Sequence, residues 1–439
     1  MLRLTRLISA IGMTLFAVSV NAEEPTAAPV SFERVLDLTL KNSFKIALAN
    51  EQLAQAGRAL RDAKRRRLPR MGVQGWFSGD LFETDEWGSN NLGNYLTLDW
   101  DFYQDGAIMQ AVAQGWANLA SAQYTRHQTI LDLIYNATSL FYDALKAKRQ
   151  LEVTEQSLKL DEMQLGIMRS EFEQGRRTQS ELGSAEAAVF ESRLSLTRAE
   201  QEFQKAILNL GLLTRDEDIK DIEDLPRGIT WRLEVPMQDA VRTGLDRQPN
   251  VLIAKANLDM AVIGQKYAKL KRLPSVRFLT GTDYAFAPLA EPDEFGFRVG
   301  VIVSYPLYDA GDRKSRIEDA KSAVKRAEIQ LWQAQDQMKQ EVTDSHMGVS
   351  NQLELLRIAE VRHQKVETDF RIATSQYEKG SIDELEMARI RLQYVQSLQR
   401  IEGLRLDALL ARAKLLKSVG VASMDEIKNS RTKSDGEKK

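Results

Sequence analysis

The chain has no cysteine, only 10 prolines and only three histidines in 439 residues. Each shortage removes a class of structure. Without cysteine there is no disulfide and no thiolate metal site, and an N-terminal lipid-modified cysteine is excluded as an anchor. The few prolines gather at joints, so long uninterrupted helices are permitted. An excess of one charge is also missing: charged residues make up 28% of the chain, yet the net charge is −2. That balance fits long water-facing helices and gives no basic surface for nucleic acid. Past residue 22 no apolar run approaches the ~20 residues that a membrane-crossing helix needs.

The first 22 residues read as a secretory signal, with Arg3 and Arg6, the apolar stretch Leu7 to Val20, and small residues ending at Ala22. If the remainder enters a membrane, it does so as strands.

What is present is a long duplication at a constant offset of 205 residues. Arg67-Leu68-Pro69 returns as Arg272-Leu273-Pro274, and Ala49, Leu53 and Ala56 return as Ala254, Leu258 and Ala261. Gly106 returns as Gly311, and Phe172-Glu173-Gln174-Gly175 as Tyr377-Glu378-Lys379-Gly380. Two long copies mean a duplicated folding unit rather than a solenoid of short repeats. The expected organisation is a signal over 1–22, repeats over 23–225 and 226–424, and a charged disordered tail over 425–439.

Each unit reads as helix, strand, strand, helix, helix. Ser31 to about Arg66 keeps a helical stripe with no internal proline, and Pro69 ends it. The period then changes. From Tyr95 to Phe102 the even positions Leu96, Leu98, Trp100 and Phe102 are apolar, while Thr97, Asp99 and Asp101 are polar. That alternation describes a strand with one apolar and one wet face. Strands are expected near 70–78, 94–103, 275–284 and 296–307. The intervening loops are acidic. In the second copy Val301, Val303, Tyr305 and Leu307 keep the apolar phase, while Ile302 breaks the polar one.

Proline-free helices follow, from Gly106 to Gln174 and from Asp312 to Lys379. At ~1.5 Å per residue, about 69 residues span roughly 100 Å. Gly175 and Gly380 are placed to stop them as left-handed caps. Return helices carry a seven-residue repeat, Leu182, Val189, Leu196, Phe203 and Leu210 in the first copy and Met387, Tyr394, Ile401, Ala408 and Leu415 in the second. Such a period marks coiled packing. Two return-length helices laid end to end match one long helix, which predicts a tall helical wall with the strand hairpins at one end.

Strands of about ten residues suit a membrane barrel. Thr97, Asp99 and Asp101 then face a water-filled lumen, and aromatics such as Trp76, Trp87, Tyr284 and Tyr308 suit the interfacial girdle. Four strands cannot close in lipid, because open edges leave peptide groups unpaired. Several chains must share the barrel: two give eight strands and a filled interior, three give twelve and a lumen.

No catalytic constellation emerges. Glu360 and His363 form a single Glu-x-x-His pair, whereas di-iron bundles need two with further carboxylates. No phosphate-binding loop and no nucleophile elbow is present, so no enzyme activity, cofactor or metal is expected. The rival reading is a periplasmic adaptor or coiled-coil scaffold of an export system, which also has long helical hairpins but no matched strand hairpins.

The ordered set of Leu-Pro before each first strand, Tyr305-Pro-Leu-Tyr-Asp-Ala-Gly311 after the last strand, and Tyr377-Glu-Lys-Gly380 at the turn resembles the TolC-type outer-membrane efflux channels, from about Phe32 to Gly420. The resemblance implies a mainly α protein with membrane β: a homotrimer whose long coiled helices form a barrel across the periplasm of a Gram-negative bacterium. Its strands would contribute to a shared 12-stranded barrel in outer-membrane lipid. It implies partners, namely a periplasmic adaptor and an inner-membrane transporter of ABC, RND or MFS type, and export of small molecules or proteins without catalysis. It also implies a gate at the helix tips. By position, Glu181 and Glu386 match its acidic residues and Tyr377 its linking tyrosine. Arg389 stands where a further acid is usual, and Ile382 where a basic partner is usual. The turns at Gly175 and Gly380 become the adaptor-docking tips.

Overall fold

The computed structural model describes residues 29–78, 91–103, 107–216, 219–224, 235–270, 273–284, 295–305 and 307–421. The signal segment, the loops over 79–90 and 285–294 and the charged tail lie outside the described residues. The first copy contains α1 (Phe32–Asn42), α2 (Phe44–Arg65), β1 (Arg70–Ser78), β2 (Asn91–Tyr103), α3 (Ala107–Glu173) and α4 (Gln179–Thr214). The second contains α5 (Met237–Arg247), α6 (Pro249–Leu270), β3 (Ser275–Tyr284), β4 (Phe295–Ser304), α7 (Asp312–Glu378) and α8 (Glu384–Val419). Every helix of the first copy reappears 205 residues later with both ends in place.

The first helical segment differs from expectation in both copies. A single helix over 31–66 was expected; the chain instead breaks at Ser43, whose ψ of 122° is extended. Gln248 breaks the second copy at the equivalent place, with ψ 123°. There the cause is explicit. Pro249 pushes the residue before it out of the helical region and suits the first position of the next helix. The first copy has no proline, but the Asn42 side chain leaves its own helix and donates to the carbonyl of Thr214 at 2.9 Å. That bond closes the C-terminal end of α4 and fixes the break against it.

The long helices α3 and α7 each have 67 residues, or roughly 100 Å at ~1.5 Å per residue. α3 packs against α1, α2 and α4, and α7 packs against α5, α6 and α8. Two shorter helical stretches therefore line each long one. The seven-residue rows are the packed ones: Leu182, Val189, Leu210, Ile401, Ala408 and Leu415 are buried. The two copies also meet each other, because α3 packs on α6 and α8. The two largest clusters of buried apolar residues draw on both copies' return helices. In one cluster Val35, Phe141, Tyr142, Leu145 and Leu210 meet Ile222 of the linker and Leu406 of α8. In the other, Ala240, Val251, Met338, Val342, Leu415 and Val419 meet. The linker is tied down by a parallel bridge between Val30 and Ile222, and Lys148 reaches Asp221 at 2.6 Å.

The four strands form one antiparallel sheet in the order β1-β2-β3-β4. Its two hairpins share one register: Arg70 opposite Asp99 in the first becomes Ser275 opposite Ser304 in the second. β4 stops at Ser304, short of the expected 307. Pro306 follows and has no N–H for the ladder.

Gly420 ends α8 at φ +83°, and an added Cβ would lie 2.6 Å from Gln248 Cα and 2.8 Å from the Arg247 carbonyl oxygen. Gly175 has φ +72° but nothing within 4 Å of such a Cβ. Gly175→Ala then costs only the left-handed strain, about 1–2 kcal/mol. Gly420→Ala adds a backbone clash of about 1–3 kcal/mol. Thermal unfolding followed by circular dichroism is expected to show the larger drop in midpoint for Gly420→Ala.

Candidate functional site

The two helix tips lie at the far ends of α3 and α7 from the strands. Each is built by a glycine in the left-handed region, Gly175 at φ +72° and Gly380 at φ +70°. At the first, the Gly175 N–H donates to the Phe172 carbonyl at 2.9 Å and the Arg176 N–H to the Glu171 carbonyl at 2.9 Å. At the second, Gly380 donates to Tyr377 at 2.9 Å and Ser381 to Gln376 at 2.8 Å. This paired pattern satisfies the last carbonyls of each long helix and turns the chain sharply.

The return helices start differently. Thr178 caps α4, its hydroxyl accepting from the Glu181 N–H at 3.3 Å. The Glu181 carboxylate reaches back to the Thr178 N–H at 2.8 Å and accepts from the Thr178 hydroxyl at 2.9 Å. This reciprocal box satisfies two orphan donors. Arg177 then bridges the hairpin, donating to Glu171 at 2.8 Å and to Glu181 at 3.0 Å. Asp383 caps α8 by accepting from the Glu386 N–H at 2.8 Å. The Glu386 side chain pairs only loosely with Arg389, at 3.7 Å.

The expected gate residues are thus brought together within each tip but not in the expected combination. Glu181 is committed to its cap and to Arg177, Glu386 sits beside Arg389, and Tyr377 is 44% exposed at the end of α7. With Ile382 unable to supply a basic partner, Arg176, Arg177 and Arg389 are the sequence's candidates for that role; Arg177 bonds Glu171 and Glu181 within its own tip, and the capping box was legible in the Thr178-x-x-Glu181 spacing. The second tip has Gln376 and Ile382 where the first has Glu171 and Arg177. It therefore lacks the acid and the base that tie the first one across its turn.

At the other end, Thr97 lies opposite Gly72 and Asp99 opposite Arg70 in the β1–β2 register. They are two residues apart along β2. Asp101 falls where the β2–β3 register shifts, between Trp100 and Tyr103. The extra residue there ends strict alternation after Trp100. Glu360 and His363 do not converge: Glu360 pairs with Arg405 at 3.6 Å, while His363 bonds Ser397 at 2.8 Å and stacks on Tyr394. Among the described residues no group of three or more histidines and carboxylates could hold a metal ion, and no helix is long and apolar enough to cross a membrane.

The cap at Glu181 has a pH signature. The Thr178 backbone N–H, then its hydroxyl, then Arg177 hold the carboxyl below its ordinary value of 4.5. A depressed carboxyl stabilises the folded form above its unfolded value, and that contribution is lost as pH falls through the lower folded value. The protection of amides 179–182, taken against their intrinsic exchange rates at each pH, is expected to fall on acidification below 4.5. Thr178→Ala, at a cost of about 1 kcal/mol, is expected to lower it at neutral pH while leaving the first turn of α8 unchanged.

The comparisons with known proteins agree with this architecture. The chain matches the outer membrane efflux protein family over residues 35–214 and 241–421, one segment in each copy. It is 22% identical over 327 residues to Protein CyaE of Bordetella pertussis, covering 70% of this chain and 68% of that protein. Its fold is that of the Campylobacter jejuni CmeC outer membrane channel, with a TM-score of 0.74 at 16% identity over 92% of this chain and 89% of that one. The Vibrio cholerae outer membrane protein VceC superposes with a TM-score of 0.73 at 16% identity, covering 89% and 96%. With both halves matched in register with the structural duplication, the chain belongs to the outer membrane efflux protein family, and it is a channel rather than an enzyme.

Proposed function

We propose that three copies of this chain form one outer-membrane duct that carries small molecules or polypeptides out across the periplasm. The observation that carries the reading is the open sheet. β1 and β4 are the two edges of a four-stranded sheet, and an unpaired edge is untenable in hydrocarbon. Three sheets joined edge to edge give twelve strands and a lumen, whereas two give an interior nearly filled by side chains. The lumen then carries Thr97 and Asp99, with Asp101 at the bulge near the barrel rim. The rival adaptor reading has no use for the two hairpins in matched register.

The far ends of the long helices serve as the gate and the docking surface. The Gly175 and Gly380 turns present short exposed loops to a periplasmic adaptor and an inner-membrane transporter of ABC, RND or MFS type. Within the gate, the first hairpin is held by Arg177 between Glu171 and Glu181. The second has no such tie and is the softer element. Glu386, Tyr377 and Arg389 of that hairpin line the constriction, with Glu181 beside them. Each Glu386 has Arg389 at 3.7 Å, so the threefold ring is a partly neutralised one. Exposed pairs of this kind are weak, about 0–1 kcal/mol, and impose little barrier to opening.

In planar bilayers the purified protein is expected to give discrete conductance steps with mild cation preference. Arg389→Gln is expected to raise that preference and Glu386→Gln to lower it, because charge at a narrow mouth sets selectivity. Equal reversal potentials for wild type and both variants would remove these residues from the constriction. A complete lack of conductance steps would sink the duct itself.

A further inference from the structure

The charge of this chain is balanced overall but not locally. Residues 61–67 hold Arg61, Lys64, Arg65, Arg66 and Arg67 against one acid, Asp62. Their counterparts 205 residues on, 266–272, hold Lys266, Lys269, Lys271 and Arg272 and no acid. Each window carries +4, so in a chain of net −2 everything else carries −10. Both windows fall where a helix hands over to the first strand of a hairpin, α2 to β1 and α6 to β3. We propose that they form a basic collar that binds the anionic phospholipid headgroups of the outer-membrane leaflet facing the periplasm. The proposal rests on the reading that the sheet lies in lipid, and it adds which lipid the chain selects.

The collar lies at the level of a lipid surface. β1 begins at Arg70 and β3 at Ser275, the end of the sheet that joins the helices. Arg67 and Arg66 come three and four residues before β1, at most roughly 10–14 Å away at ~3.5 Å per residue. Exposed apolar side chains begin immediately beyond. Met71 is 73% exposed, and Leu307 and Tyr308, which follow β4, are 91% and 88% exposed. A row of bases next to bare apolar residues suits a membrane interface. Apolar groups lie among the acyl chains there, and the long basic side chains reach the phosphates.

The sequence at the other end of each hairpin has the opposite sign. Residues 79–92 carry four acids and residues 285–294 carry three, and neither segment has a base. Bases therefore gather on one side of the sheet instead of flanking the strands at both ends. Four equivalent positions keep the charge in both copies: Arg61 and Lys266, Lys64 and Lys269, Arg66 and Lys271, Arg67 and Arg272. Arginine and lysine exchange at three of these four. Attraction to an anionic leaflet accepts either, because it depends on charge near the surface and fades within a Debye length.

The chain does not neutralise this collar itself. All five bases of 61–67 are exposed, as are Lys266 and Lys269. Arg65 pairs with Asp62 at 3.5 Å, and Lys64 lies 4.4 Å over the exposed Trp116 ring. Among the described residues Arg61, Arg66, Lys266 and Lys269 have no acidic partner. The elements packed against the two windows supply no compensating charge. α2 packs on α3, whose residues 107–125 are all uncharged. α6 packs on α3 and α7, and residues 312–325 at the start of α7 hold five bases to three acids. One of those acids, Asp312, is held by Arg316 at 2.6 Å.

Native mass spectrometry of the detergent-purified protein, titrated with phosphatidylglycerol or with zwitterionic phosphatidylethanolamine, tests the collar. Phosphatidylglycerol is expected to be retained about tenfold more tightly. Arg66→Gln is expected to weaken its retention about fivefold, and Arg66→Gln with Lys269→Gln and Lys271→Gln to abolish the preference. Arg66→Lys is expected to keep it. Removing three exposed bases elsewhere, Arg198→Gln with Arg357→Gln and Lys365→Gln, is expected to leave it unchanged, with the helical signal the same in every variant. Inorganic phosphate at the lipid's concentration is expected not to displace the lipid. Equal retention of the two lipids, a triple collar variant with the wild-type preference, a distal variant that loses as much, or displacement by phosphate overturns the collar and leaves the duct standing. A protein that stays folded and water-soluble without detergent overturns both.

Discussion

The structure depends on peptide hydrogen bonds at two strand edges. In water an edge strand is satisfied by solvent; in hydrocarbon each unpaired N–H and C=O costs several kcal/mol. A sheet in the order β1-β2-β3-β4 leaves such edges on both sides, and no rearrangement of four strands closes them. The helices obey the same constraint one level up. α3 is clad by helices of both copies, while α7 is clad only by its own, leaving Trp332 and Leu355 exposed. Sheet and helices both leave one side of the chain uncovered.

Much of this was legible in the residues. The 205-residue offset carried the whole architecture, because each helix reappears at that spacing. Gly175 and Gly380 were readable as left-handed caps, since only a residue without Cβ takes φ near +70° cheaply. The seven-residue rows identified the buried faces of α4 and α8. The break at Ser43 was hidden because the first copy lacks a proline there. Its counterpart, Pro249, states the break openly, and comparing the copies residue by residue would have transferred it. The early end of β4 has a similar origin: apolar alternation runs on to Leu307, but Pro306 cannot join the ladder.

The site was less legible than the fold. Glu181 and Glu386 occupy equivalent positions, yet their surroundings differ through residues two and eight places before the first return helix and its counterpart. Arg177 turns Glu181 into part of a bridge, while Ile382 leaves Glu386 to Arg389. A charge in a sequence has no partner until the fold supplies one. Nor does periodicity tell an apolar stripe covered by its own chain from one covered by another. The difference between the copies also separates a hairpin tied by Arg177 from one without that tie.

The central claim is that strand edges and helix faces are completed by further copies of the same chain, three in all. Native mass spectrometry of the detergent-purified mature protein tests it most directly. A single species of three chains, stable until the detergent is stripped, is the predicted result. A species of one chain that stays folded and water-soluble after detergent removal would contradict it.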